Sequence, residues 1–264
     1  MEGRMMDRAK FYDALRKRDS GVFGSRLTAD QVKGMEGILD AFMSHGDASA
    51  KTLAYALATA YHETARRMVP VREGLAKTDA GARRAVNNLA RKRGSNSAVA
   101  KYARPDPETG HVYYGRGHVQ LTWKENYARS SRDAGTDLVK HPDAMLDPLI
   151  SARVLFKGLL DGRWNGHGKG LSYYLDKDDL RNARRTVNIT DKWSSIAGYY
   201  NAFLRAIRAA GGIPYVVTPL TEAAQPDILP PPPDIPKPKE TPSQPPKSGF
   251  FVALLRWLLG GKFK

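Results

Sequence analysis

The chain has no cysteine. That excludes disulfide staples and thiolate metal sites, and it fits synthesis in a reducing compartment. The first twenty residues, "MEGRMMDRAKFYDALRKRDS", lack the apolar core of a signal peptide. The expectation is production in the cytoplasm, with some other agent releasing the protein to any site of action beyond it. Alternating β patterns are scarce, and "HVYYGRGHVQLTW" is the best candidate for a short hairpin or extended loop. Acidic residues are missing altogether from "AGARRAVNNLARKRGSNSAVAKYAR" (Ala80 to Arg104), which carries seven basic ones.

What is present bounds the class. A length of 264 residues with 41% apolar composition suits one sizeable domain plus an appendage. A formal charge of +15 favours a polyanionic partner such as nucleic acid, an anionic membrane face or a bacterial envelope polymer. Nucleic-acid binding calls for aromatics interleaved with the basic residues or a docking motif. Only Tyr102 interrupts the basic segment in that way, so no specific nucleic acid is expected.

Residues 1–218 read as a mainly α domain. In "LTADQVKGMEGILDAFMSH", Thr28 is an N-cap with Gln31 three residues later. Val32, Met35, Ile38, Leu39 and Phe42 then recur at helical spacing. "AKTLAYALATAYHETARRM" repeats the pattern and stops before Pro70. "DPLISARVLFKGLL" and "WSSIAGYYNAFLRAIRAA" read as further core helices. Residues 219–248 hold eleven prolines and form an extended spacer. The tail 249–264, "FFVALLRWLLGGKFK" after its first glycine, is too short to span a bilayer, which takes about 20 apolar residues. Two readings stand for it: contact with an anionic membrane interface, or docking back on the domain.

The chemistry centres on "ATAYHETARRMVPVREG" (Ala58 to Gly74). A zinc site of the His-Glu-x-x-His kind fails because Arg66 stands where the second histidine belongs, and the other histidines show no ligand spacing. No metal or cofactor is expected. "GRGHVQ" is no dinucleotide loop, since Gln120 replaces the last glycine and no βαβ unit surrounds it. Glu63 sits at a helix C-terminus, where the macrodipole disfavours a carboxylate and burial raises its pKa toward general-acid range. The same residue also fits a surface pair with Arg67 at i, i+4. A second motif, "YYGRGHVQLTWKENY" (Tyr113 to Tyr127), sets two glycines around Arg116. It adds flat rings at Tyr114 and Trp123 and polar groups at Gln120, Thr122 and Asn126, a composition suited to holding sugar.

Together the two motifs resemble glycoside hydrolase family 19, in particular its compact, loop-poor branch that includes phage and prophage endolysins. The resemblance runs from about Met6 to Ala210. It implies a lysozyme-like, two-lobed, mainly α globule with at most a small β element. It also implies an inverting reaction in which Glu63 is the general acid and Glu73 the general base, with the carboxyls about 6.5–9.5 Å apart. Thr122 matches the residue that helps hold the attacking water. Gln120 and Asn126 match the family's substrate-contacting amides, with Tyr114, Arg116 and Trp123 as further substrate-binding candidates, and "ARRTVNIT" places Asn188 in the cleft. The chain departs from the family after "HET", where Ala65 and Arg66 replace two glycines, and after Asn188, where Ile189 and Thr190 do so.

The functional expectation is an endolysin-like, monomeric glycosidase acting on peptidoglycan glycan strands. A chitinase or a catalytically inactive wall-binding protein are the alternatives. Glu125 and Asp106 are rival candidates for the base.

Overall fold

The computed structural model describes residues 6–164 and 168–214. The spacer 219–248 and the tail 249–264 lie outside the described residues, as do the last four residues of the domain bounded at 218. No helix among the described residues is long and apolar enough to cross a membrane.

Asp7 opens α1 (Arg8–Leu15) by accepting the Lys10 amide proton. Next comes α2 (Ala29–His45), whose capping box is formed as the sequence predicts. Thr28 accepts from the Gln31 amide and the Gln31 side chain accepts from the Thr28 amide. Its buried face carries Met35, Ile38, Leu39 and Phe42. In α3 (Ala50–Glu63), residues 52–61 are all buried. This helix is therefore the central rod of the domain, wrapped on every side, and not a surface amphipathic helix.

β1 (Val71–Arg72) follows, then α4 (Asp79–Arg93) and α5 (Ala98–Tyr102). β2 (Arg116–Gly117) pairs with β1 in antiparallel register, Val71 opposite Gly117 and Arg72 opposite Arg116. The "HVYYGRGHVQLTW" stretch is thus an extended loop with a tight turn, closed by a bridge between Arg116 and Leu121. α6 (Lys124–Ala134) and α7 (Pro148–Asp161) complete the middle of the chain, and Asp147 caps α7 through the Leu149 and Ile150 amides. The short α8 (Leu171–Leu175) and α9 (Leu180–Ala183) lead to α10 (Trp193–Ala209), which lies along α3. The alanine-rich surface of α3 permits that close approach.

The apolar interior divides in two. A large cluster joins α1, α2, α3, α7 and α10. A smaller one gathers Ala82, Val86 and Leu89 of α4, Val99 and Tyr102 of α5, then Val112 and Tyr114, with Trp123 packed against it. These are the two lobes expected from the sequence, and the architecture is mainly α with one very small sheet.

Candidate active site

Glu63 is the last residue of α3 and is almost fully buried. Its partner is Arg184, in the 3-10 turn Arg184–Thr186, whose Nη2 donates to Glu63 Oε1 at 2.7 Å. The surface pair with Arg67 is replaced by this buried bridge. Arg184 is itself fully buried, and its Nε donates to the Asp191 carbonyl. Desolvation raises the Glu63 pKa, Arg184 opposes it by charge and hydrogen bond, and the net direction is upward. Glu63 Oε2 makes no hydrogen bond within the described residues, so one carboxyl oxygen remains available for a proton. Tyr55 lies two turns back on the same helix face, its hydroxyl also without a protein partner. His62, beside them, is driven by burial and by Arg184 down to about 3, which keeps its ring neutral.

The turn that releases the chain from Glu63 is unusual. Ala65, Arg66 and Met68 all hold positive φ, at 50°, 69° and 63°. Left-handed backbone favours glycine, which gives a physical reason for two glycines after the "HET" motif in the family that this sequence resembles. Here alanine and arginine adopt the same backbone. Thr64 secures it, because its hydroxyl donates to the Ala60 carbonyl and accepts the Met68 amide proton. The Met68 carbonyl is in turn hydrogen-bonded by His118 Nε2 at 3.0 Å.

Glu73 begins a 3-10 turn directly after β1 and is buried, slightly less so than Glu63. Both its oxygens are held. Tyr102 donates its hydroxyl proton to Oε1 and the Gly115 amide donates to Oε2, each at 2.8 Å. Burial raises its pKa, while these two hydrogen bonds and the charge of Arg116 pull the other way. Gly115 packs closely on Gln120: a Cβ there would sit 2.8 Å from its Oε1 and 3.3 Å from its Cβ. Gly117, at φ 86°, would drive a Cβ into Ser151 and Met145.

Where the sequence suggests a sugar-binding surface at Tyr114 and Arg116, the structure buries both side chains. The Arg116 guanidinium lies 3.6 Å from the centre of the Tyr114 ring. It donates to Asp143, to the Val112 and Tyr114 carbonyls, to the Tyr127 hydroxyl and to Asp79. Arg72 reaches the other oxygen of Asp143, so β1 and β2 are fastened to the turn Pro142–Leu146 through one carboxylate. Tyr114 and Arg116 thus hold the loop that carries Gln120, Thr122 and Trp123.

The remaining candidates divide by location. Gln120, buried at φ 51°, donates its amide to the Val71 and Gly117 carbonyls. Thr122 donates to the Gln120 carbonyl, and Asn126 donates to the Thr122 carbonyl. Half-buried Trp123 meets Tyr102, the partner of Glu73, edge to face. These residues form one group with Glu73. Asn188 belongs to the Glu63 group: its amide donates to the Arg184 carbonyl, while its side-chain Nδ2 has no partner among the described residues. The rivals for the base are ordinary charges, since Asp106 is paired with Lys124 and Glu125 is exposed. Arg184 and Tyr102 were not named from the sequence as site residues. The first stood in a run of two arginines beside Asn188, and the second inside the basic segment.

A family model described as chitinase class I, glycoside hydrolase family 19, matches residues 11–159. Endochitinase 1 of Theobroma cacao is 42% identical over 62 residues, 22% of this chain and 19% of that protein. Basic endochitinase of Vitis vinifera is 28% identical over 160 residues, 58% of this chain and 49% of that protein. The aligned segments thus span about a fifth to a half of these curated relatives. Among solved structures, chitinase C from Streptomyces griseus HUT6037 aligns over 81% of this chain and 79% of its own, at 18% identity and a TM-score of 0.46.

Proposed function

Given that the chain belongs to glycoside hydrolase family 19, we propose that it hydrolyses the β-1,4 glycosidic bonds of bacterial peptidoglycan by an inverting mechanism. The observation that carries this reading is the buried setting of Glu63. A carboxyl buried at a helix end, its pKa raised by desolvation, with one oxygen held by Arg184 and the other free, is placed to act as a general acid. In the proposed reaction Glu63 gives its proton to the glycosidic oxygen as that bond breaks. Water attacks the anomeric carbon from the opposite face and loses its proton to Glu73. Tyr102 and Gly115 each occupy only one lone pair of the Glu73 oxygens, so a water can still be accepted there. Thr122, with its proton committed to Gln120, has lone pairs to orient that water.

Peptidoglycan is preferred over chitin on charge. Chitin is neutral, whereas a chain of +15 with an acid-free basic segment is matched to an anionic wall. An endolysin-like life history, with cytoplasmic synthesis and later release to the wall, belongs to the same reading. So does contact of 249–264 with an anionic membrane. The second reading, chitin hydrolysis, is favoured by the names of the relatives. Mass analysis of products from purified peptidoglycan and from chitin separates the two. Release of only chitin oligomers sinks the first. Loss of about 10²–10⁴ in rate is expected for Glu63→Gln, and full activity in that variant would remove Glu63 from the role of acid.

A further inference from the structure

We propose that a pocket on the smaller lobe binds the carboxylate-bearing peptide that branches from peptidoglycan glycan; this rests on the peptidoglycan reading above. The pocket has a volume of about 480 Å³, within the range of ligand sites. α4 and α5 form two of its sides, and Ala103 and Val112 supply part of its apolar lining. Arg83, Arg91 and Arg104 line it as well, with no acidic side chain among its lining residues. Such a mixture of apolar lining and guanidinium groups fits a short peptide with carboxylates, the group for which planar, forked arginine donors are best shaped.

The three arginines are differently prepared. Arg83 is fixed by Asp79 and the Gly110 carbonyl. Arg91 hydrogen-bonds the neighbouring Asn88 amide oxygen. Arg104 is exposed and has no ion-pair partner among the described residues. Asp79 pairs with Arg83 and also serves Arg116 and Tyr114, which leaves Arg91 and Arg104 to carry the charge of the pocket.

Position ties the pocket to the reaction. Tyr102, at the end of α5, holds Glu73, and the next two residues, Ala103 and Arg104, line the pocket. A glycan threaded past Glu73 would present its peptide branch to this side of the lobe. Neutral chitin has nothing to place there.

The test is the double charge reversal Arg91→Glu/Arg104→Glu in the full chain, at two exposed positions. Hydrolysis of intact peptidoglycan should fall at least about tenfold, as expected from losing charge-assisted contacts. Hydrolysis of glycan strands stripped of peptide by an amidase should be unchanged. Equal loss on both polymers, or no loss on intact peptidoglycan, overturns the proposal. Calorimetric titration with free L-Ala-D-Glu-diaminopimelate-D-Ala tetrapeptide reads binding without catalysis. Heat for the native chain and none for the variant supports the pocket even if no glycan is cut, which would count against the peptidoglycan reading alone. Binding of poly(glycerol phosphate) with no binding of tetrapeptide would overturn it in favour of a wall phosphate.

Discussion

Glu63 and Arg184 are 121 positions apart in the chain and 2.7 Å apart in space, with both side chains buried. Their bridge opposes the desolvation that lifts the Glu63 pKa, so Arg184 limits how far the acid is raised. In the proposed reaction Glu63 acts while protonated, so activity is lost on the alkaline side as it ionises. In Arg184→Met the opposing charge is gone, the Glu63 pKa rises further, and the alkaline limb of kcat/KM should move up by about 1–3 pH units. A rate profile against pH for both proteins checks this. An unmoved limb would mean that another group sets it.

Arg116→Lys separates structure from substrate contact. Lysine cannot reproduce the five-acceptor fan or the stacking over Tyr114, so the network around Asp143 and Asp79 is left partly unpaired. The expected destabilisation is about 1–3 kcal/mol, the range for leaving buried hydrogen-bonding groups unsatisfied, measured by urea unfolding. Unchanged stability with a raised KM would restore Arg116 to the substrate wall.

These two residues also mark what could be read in advance. Elements governed by near neighbours were legible: the Thr28–Gln31 box, the helix that carries Glu63 near its C-terminal end, the glycines flanking Arg116. Burial was not. A tyrosine and an arginine in a glycine-rich loop look alike whether they stack under a sugar or on each other, since residue type does not say which face meets solvent. Arg184 was hidden for a different reason, because its role is created by a contact between α3 and a turn far along the chain. Tyr102 was masked by the charges around it, although its hydroxyl is what anchors Glu73.

The departure after "HET" predicts an easy stabilisation. Ala65 holds φ 50° with its Cβ in a conformation that disfavours L-residues by about 1–2 kcal/mol. Glycine removes that penalty but adds unfolded-state entropy worth about 0.5–1 kcal/mol. Ala65→Gly should therefore raise stability by up to about 1.5 kcal/mol and leave the Glu63–Arg184 bridge and activity intact. Thermal melts that fall instead would show that the Ala65 methyl makes packing contacts that outweigh its backbone strain.

His118 supplies a pH dependence of stability whose sign can be fixed. Its ring is buried, its Nε2 donates to the Met68 carbonyl, and burial lowers its pKa from 6.5 to about 4. The unfolded chain then binds a proton near 6.5 that the folded one takes up only near 4. Stability is complete above pH 6.5 and lost as the pH falls between these values, by on the order of 3 kcal/mol. His62 acts in the same direction, while the raised pKa values of Glu63 and Glu73 act oppositely, favouring the fold at low pH. Comparing the chain with His118→Gln cancels those shared contributions. The native protein should lose ground to the variant steadily from pH 6.5 to 4 in unfolding free energy. A constant difference across that window would mean that His118 titrates alike in both states.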